Sequence, residues 1–178
     1  LEIPGQGWIA KDELSAQDNR MEKVQEILNQ KYNKDGIAVY VKQVDTGKTA
    51  GIHEDQEMYS ASIAKLLYLY YTQKELNENQ VDLQTSLKYT KEVNDYPGSY
   101  EPDGSGRISK TPDDKDYTVA DLINRVAKES DNVAHNILGY YVTHQSDKEF
   151  QKVTNKIAGK TWNVENRMAS AKMAGNVM

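Results

Sequence analysis

Cysteine is missing from the chain altogether. That rules out a disulfide framework and a thiolate metal site, so stability has to come from packing. The absence suits an exported protein relying on its core, and a cytosolic protein has the same look. Long apolar runs are missing too. The longest, from Ile63 to Tyr71, is interrupted by Lys65 and falls far short of the roughly 20 residues that span a bilayer. Leu1-Glu2-Ile3-Pro4 has neither the basic start nor the apolar stretch of a secretory signal. Basic blocks are also lacking. Lys and Arg number 22 against 27 Asp and Glu, for a net charge of -5. Lysines such as Lys31, Lys34, Lys42 and Lys48 are scattered without interleaved aromatics, which excludes a nucleic-acid surface. The three histidines, His53, His135 and His144, have no ligand spacing, so no metal and no cofactor is implied. His53 is expected on the solvent face of a strand.

The 178 residues suffice for one domain with a sizeable core. Ser15 is placed to cap a helix over 15–34, with Met21, Val24, Ile27 and Leu28 as one apolar stripe and Asp35-Gly36 as its stop. Ile37, Val39 and Val41 alternate with Ala38, Tyr40 and Lys42, and Asp45-Thr46-Gly47-Lys48 turns the chain back through Thr49 to His53. That predicts a hairpin over 37–53. A helix follows from about Ala61 to Leu76. It is apolar nearly all round and so is expected to be central. Asn94 to Asp116 holds three of the four prolines, Pro97, Pro102 and Pro112, with Gly98, Gly104 and Gly106. It reads as a long loop, of the kind that is functional or mobile, with Tyr96 and Tyr100 at a cleft mouth or on a solvated tip. Thr118, with Asp121 three residues on, caps a helix whose buried stripe is Val119, Leu122, Ile123 and Val126. Val133, Ile137, Leu138 and Tyr141 form the next stripe, and a last helical pattern begins near Arg167. One hairpin cannot cover so apolar a central helix. Either the other helices wrap it or strands beyond Met178 do, and the second is the expectation.

Two short motifs stand out. Ser62-Ile63-Ala64-Lys65 opens the central helix, and Ser130-Asp131-Asn132 sits between two amphipathic segments. With 10 serines and 18 lysines, chance supplies about one S-x-x-K, but only about 0.06 of an S-D-N. The second motif therefore carries the weight. A serine hydroxyl needs a base to take its proton. Three residues along a helix, Lys65 shares a face with Ser62, and burial among Ile63, Ala64, Leu66 and Leu67 disfavours its ammonium and leaves an amine that acts as base. The helix N-terminus offers positive dipole to an oxyanion near Ser62. Ser130 is placed to relay a proton from Lys65 to a leaving nitrogen. Asn132 is placed to hold Lys65 and meet a substrate amide. Asp131 is expected to point inward and satisfy backbone N–H groups.

In this order the motifs resemble the penicillin-recognising serine hydrolases, class A β-lactamases and related D,D-peptidases. The resemblance rests on the hairpin with Asp45-Thr46-Gly47-Lys48, the Tyr59-to-Lys65 entry, Asp103-Gly104-Ser105-Gly106, and Tyr117-Thr118-Val119 leading to Ser130-Asp131-Asn132. It covers about Met21 to Met178. It implies an α+β, β-lactamase/transpeptidase-like fold, present mostly as its helical part (60–178) plus the first hairpin. It further implies a single domain, 1–178, that is incomplete at its C-terminus, because the family's K-T-G strand is absent. The implied roles are acylation of Ser62, proton movement by Lys65 and Ser130, and substrate contact by Asn132. The implied substrates are β-lactams or D-Ala-D-Ala-like cell-wall peptides, met outside a bacterial cell or at its surface. The E-x-x-x-N of class A β-lactamases is also lacking: Glu165 is in the right region, but Ala169 stands where the asparagine belongs. A persistent acyl-enzyme is therefore expected. The competing reading is a non-catalytic surface domain with the same fold. A chain short of its strands is further expected to dimerise through uncovered apolar surface.

Overall fold

The structure, a computed structural model, describes residues 2–3, 7–8, 18–144 and 147–178. The chain divides into two compact units, Leu1–Glu54 and Asp55–Met178.

In the first unit β1 (Glu2–Ile3) pairs antiparallel with β2 (Gly7–Trp8), and α1 (Arg20–Lys31) precedes the hairpin of β3 (Val39–Lys42) and β4 (Thr49–Ile52). The expected cap, Ser15, lies outside the described residues. Asn19 occupies the cap position without a side-chain bond. Instead the Asp18 carboxylate accepts the Arg20 backbone N–H at 3.1 Å and both arms of its guanidinium at 2.9 Å. Met21 and Leu28 pack with Ala50 and Ile52 into a small core flanked by Val24, Val39 and Val41. Ile27 stays about half exposed at 48%, so the apolar stripe is narrower than its spacing suggested. The Gln25 amide exchanges two 2.9 Å hydrogen bonds with the Gly51 backbone, which ties α1 to β4. His53 falls one residue beyond β4, exposed and with φ 47°, so the expected position on a strand face is corrected.

The second unit is built on α2 (Lys65–Asn77), preceded by β5 (Met58–Tyr59) and a 3-10 turn, Ala61–Ala64. It continues through β6 (Ser86–Lys88), the long loop, β7 (Asp116–Thr118), α3 (Val119–Glu129) and α4 (Asn132–Leu138). A π-helical turn, Gly139–Thr143, then leads to α5 (Asp147–Ala158), β8 (Met168–Ala169) and α6 (Ala171–Val177). β5 pairs antiparallel with β8, and β6 with β7.

The stretch from Ala61 to Asn77 has no glycine or proline, and its Leu, Lys, Gln and Glu are good helix formers. Leu67, Tyr68, Tyr71 and Thr72 are buried. α3, α4, α5, α6 and the π turn all contact α2, so helices supply much of the cover that had been expected of further strands. At α3 the Thr118 hydroxyl accepts the Asp121 N–H at 3.2 Å, and Val119, Leu122 and Val126 are buried, as their spacing predicts. Every residue of α4 is buried. Phe150, Thr154 and Ala158 form the inner stripe of α5, an element absent from the sequence reading. The last helix starts at Ala171, capped by the Ser170 hydroxyl on the Met173 N–H, and not near Arg167. Residues 168–169 are drawn into the β5 pairing instead. No helix among the described residues is long and apolar enough to cross a membrane.

Candidate active site

Lys65 opens α2 and is only 2% exposed. A buried ammonium has to find acceptors, because the dry interior replaces none of its lost hydration. Three are present. Nζ donates to the Ser130 carbonyl at 2.6 Å, to Asn132 Oδ1 at 2.6 Å and to Ser130 Oγ at 3.3 Å. The Tyr100 ring lies beneath it, 4.5 Å from Nζ to the centroid, close enough for a cation–π attraction. Ser130 reaches Lys65 with both main chain and side chain because it ends α3 in the left-handed region at φ 52°, a strained setting for a residue with a Cβ. Burial pulls the Lys65 pKa down to about 8. Asp131 opposes that pull through its negative charge, and Arg167 adds to it.

Ser62 sits half-buried in the 3-10 turn ahead of α2. It lines one cleft of about 400 Å³ with Lys65 and Ser130, between apolar walls of Ile63, Leu66, Leu69, Val126 and Ala127. The fold thus brings Ser62, Lys65, Ser130 and Asn132 together at the head of α2. Among the described residues, the Ser62 hydroxyl is not one of the hydrogen-bond partners of Lys65.

The rest of the S-D-N segment straps down the long loop. Asp131 is fully buried. Its Oδ2 accepts the Arg107 and Ile108 N–H groups at 2.6 and 3.1 Å, and its Oδ1 accepts that of Ala134 at 2.9 Å. The Asn132 N–H donates to the Ser105 carbonyl and its Nδ2 to the Glu101 carbonyl, both at 2.8 Å. One helical turn on, the Asn136 amide accepts the Tyr100 N–H and donates to the Tyr100 carbonyl, again both at 2.8 Å. Gly106 has φ 116°, and a methyl there would overlap the Asp131 carboxylate. Only glycine both adopts that backbone and leaves the room.

Tyr96 and Tyr100 are buried, at 6% and 7% exposure, which corrects both the cleft-mouth and the solvated-tip expectations. The Tyr100 hydroxyl donates to the Ala61 carbonyl at 2.8 Å. Its ring carries Lys65 and also the Arg167 guanidinium, 3.7 Å from the centroid. His135 meets the same ring edge-on at 4.7 Å. His135 is fully buried, with Nε2 3.4 Å from the Gly98 carbonyl. Burial, then the Lys65 and Arg167 charges, lower its pKa to about 3 and keep it neutral. Sequence reasoning missed Tyr100, His135 and Arg167 as neighbours of Lys65, since they lie in three separate segments and no spacing links them. Glu165 is exposed and lines a different cleft of about 200 Å³ beside Gln151, Asn155 and Trp162, while Ala169 lies in β8. Among the described residues, no carboxylate lines the cleft that holds Ser62.

Residues 19–177 match the model of a family described as the beta-lactamase enzyme family. Among solved structures the chain resembles PBP-A at 18% identity, with a TM-score of 0.65 over 91% of this chain and 60% of that one. A PBP-A variant was solved as an acyl-enzyme complex with penicillin G. The chain also resembles the D-alanyl-D-alanine carboxypeptidase DacD from Francisella tularensis (15% identity, 81% of this chain and 36% of that one, TM-score 0.63). A third neighbour is a β-lactamase from Sphaerobacter thermophilus (17% identity, 79% and 52%, TM-score 0.59). No curated protein matches this chain. At these identities the likeness establishes the fold, the α+β β-lactamase/transpeptidase type, and the chain spans about 60% of the length of PBP-A.

Proposed function

We propose that this chain, which belongs to the beta-lactamase enzyme family, carries the nucleophile-bearing part of a penicillin-recognising serine acyl-transferase. Ser62 Oγ attacks an amide or β-lactam carbonyl. Its proton passes to the neutral amine of Lys65, then through Ser130 Oγ to the leaving nitrogen as the C–N bond breaks, which leaves the acyl group on Ser62. Asn132 holds Lys65 through Oδ1 and presents its amide to the substrate. The observation that carries this reading is the buried Lys65 ammonium, bonded to Ser130 Oγ and Asn132 Oδ1 in the cleft that Ser62 lines. A lysine with a pKa of about 8 is partly neutral at physiological pH and so is available as a base.

The substrates of this reading are β-lactams or D-Ala-D-Ala-like peptides of a cell wall, met on the outer side of the cell membrane. No carboxylate among the described residues lines the Ser62 cleft to activate a water, so in this reading the acyl-enzyme persists, which is the behaviour of a penicillin-binding protein.

Labelling of the full-length protein with a fluorescent penicillin tests the reading. The expected result is a long-lived adduct that is lost in Ser62→Ala, formed about 10²–10⁴-fold more slowly in Lys65→Ala, and formed faster as pH rises through about 8. No adduct on the full-length protein would instead establish the non-catalytic surface domain. Turnover of a chromogenic cephalosporin at β-lactamase rates would refute the persistent acyl-enzyme.

A further inference from the structure

Four arginines occur in the chain. Three of them face a carboxylate: Arg20 with Asp18, Arg107 with Glu129 and Arg125 with Asp121. Arg167 has no carboxylate partner among the described residues, although it is half-buried and shares the Tyr100 ring with a second cation, Lys65. Asp131, whose charge acts on Lys65, is already committed to three backbone N–H groups. Asp131 supplies counter-charge to Lys65, whereas no carboxylate among the described residues pairs with Arg167, and an anion bound at Arg167 relieves the repulsion between the two cations.

Arg167 is also held in place rather than left to swing. Its backbone is in the left-handed region at φ 49°, which a non-glycine residue keeps only when its surroundings impose it. Here the Ser60 N–H and hydroxyl both bond its carbonyl, at 2.7 and 2.9 Å, and its Nη2 donates to the Ser99 carbonyl at 2.8 Å. The platform beneath is equally fixed. Tyr100 is bonded through its N–H, its carbonyl and its hydroxyl. One of the five guanidinium N–H donors is engaged among the described residues, so a planar fork remains for a carboxylate.

We propose that Arg167, seated on Tyr100, is the anion receptor of this site and recognises a carboxylate on the acyl portion of the substrate. The inference rests on the acyl-transfer reading above for the word acyl. The leaving nitrogen departs at Ser130, in the cleft shared with Ser62, and neither Tyr100 nor Arg167 lines that cleft. The anion met by Arg167 is therefore carried by the part of the substrate that stays on Ser62. Donors with an acidic acyl side, such as a cell-wall peptide bearing a side-chain carboxylate upstream of the scissile bond, are favoured over neutral ones.

The test uses the full-length protein carrying Ser62→Ala, which cannot be acylated. NMR shifts follow titration with succinyl-Gly-D-Ala-D-Ala and with the same peptide whose succinyl carboxylate is an amide. The expected result is about tenfold tighter binding of the acid than of the amide. Adding Arg167→Gln brings the two within about twofold, and Arg167→Lys retains a partial preference because an ammonium keeps the charge without the fork. The Ser60 bonds reach the carbonyl of residue 167, which both variants retain, and the same spectra report their folding. A preference that survives Arg167→Gln, or no preference in the parent, overturns the inference. Fluorescent-penicillin labelling of the Ser62-containing protein separates the two readings. Labelling without a preference removes this one alone, and a preference without labelling removes the acyl-transfer reading alone.

Discussion

Replacing Asp131 with alanine deletes the acceptor on which Arg107, Ile108 and Ala134 N–H groups converge at 2.6, 3.1 and 2.9 Å. The Ala134 bond is a helix N-cap, worth about 1 kcal/mol. The Ile108 N–H is buried and loses a charged acceptor, worth about 1.5–3 kcal/mol. The Arg107 N–H is only partly buried and regains water, which adds about 0.5–1 kcal/mol. The total is about 3–5 kcal/mol, a large fraction of the 5–15 kcal/mol that holds a typical domain. Urea unfolding followed by the fluorescence of the buried Trp162 measures it. Asp131→Asn, which keeps the shape and one accepting oxygen, is expected to lose about half as much. Limited proteolysis supplies a second readout: cleavage between 101 and 111 becomes faster in Asp131→Ala, because the strap on the long loop is gone. A loss below about 1 kcal/mol for Asp131→Ala, with unchanged proteolysis, refutes the claim that this carboxylate fastens the loop.

Other expectations follow from buried groups. His135 has a folded pKa of about 3 against an ordinary 6.5, so the unfolded chain binds the extra proton. The stability it contributes is complete above pH 6.5 and is lost as pH falls towards 3. His135→Phe therefore flattens the fall in urea midpoint between pH 7.5 and 4.5, and equal slopes would contradict the neutral buried imidazole. Gly139→Ala places a methyl against the Tyr96 hydroxyl and is expected to cost about 1–3 kcal/mol by overpacking. Because that hydroxyl has no partner among the described residues, Tyr96→Phe alone changes stability by less than about 1 kcal/mol and recovers at least half of the alanine penalty. Strict additivity in the double-mutant cycle would count against the contact.

Much of this architecture is legible in the residues, and the exceptions have physical causes. Thr118, Val119, Leu122 and Val126 announce α3 because local capping and a 3.6-residue stripe need no distant partner. The hairpin of β3 and β4 is equally local. β5 and β8 are two residues each and exist only through each other, so neither has a periodicity to read. α5 has its stripe at Phe150, Thr154 and Ala158, but the threonine in it dilutes the apolar signal. At the site, S-x-x-K and S-D-N identify Ser62, Lys65, Ser130 and Asn132 because motif order carries them. Tyr100 and Arg167 reach Lys65 through a loop and a strand end, which only tertiary geometry brings together. Glu165 illustrates the opposite case: its place in the sequence suggests a role that its place in the fold does not support.

The clasp between Ser60 and Arg167 spans 107 residues, so it cannot close until residue 167 has been made. During synthesis the segment around Ser62 leaves the ribosome well before β8 is made, and closing so wide a loop is among the slower steps of folding. A nascent chain ending short of residue 167 therefore presents the turn that holds Ser62 without this clasp, which forms only once the segment leading into β8 has been made.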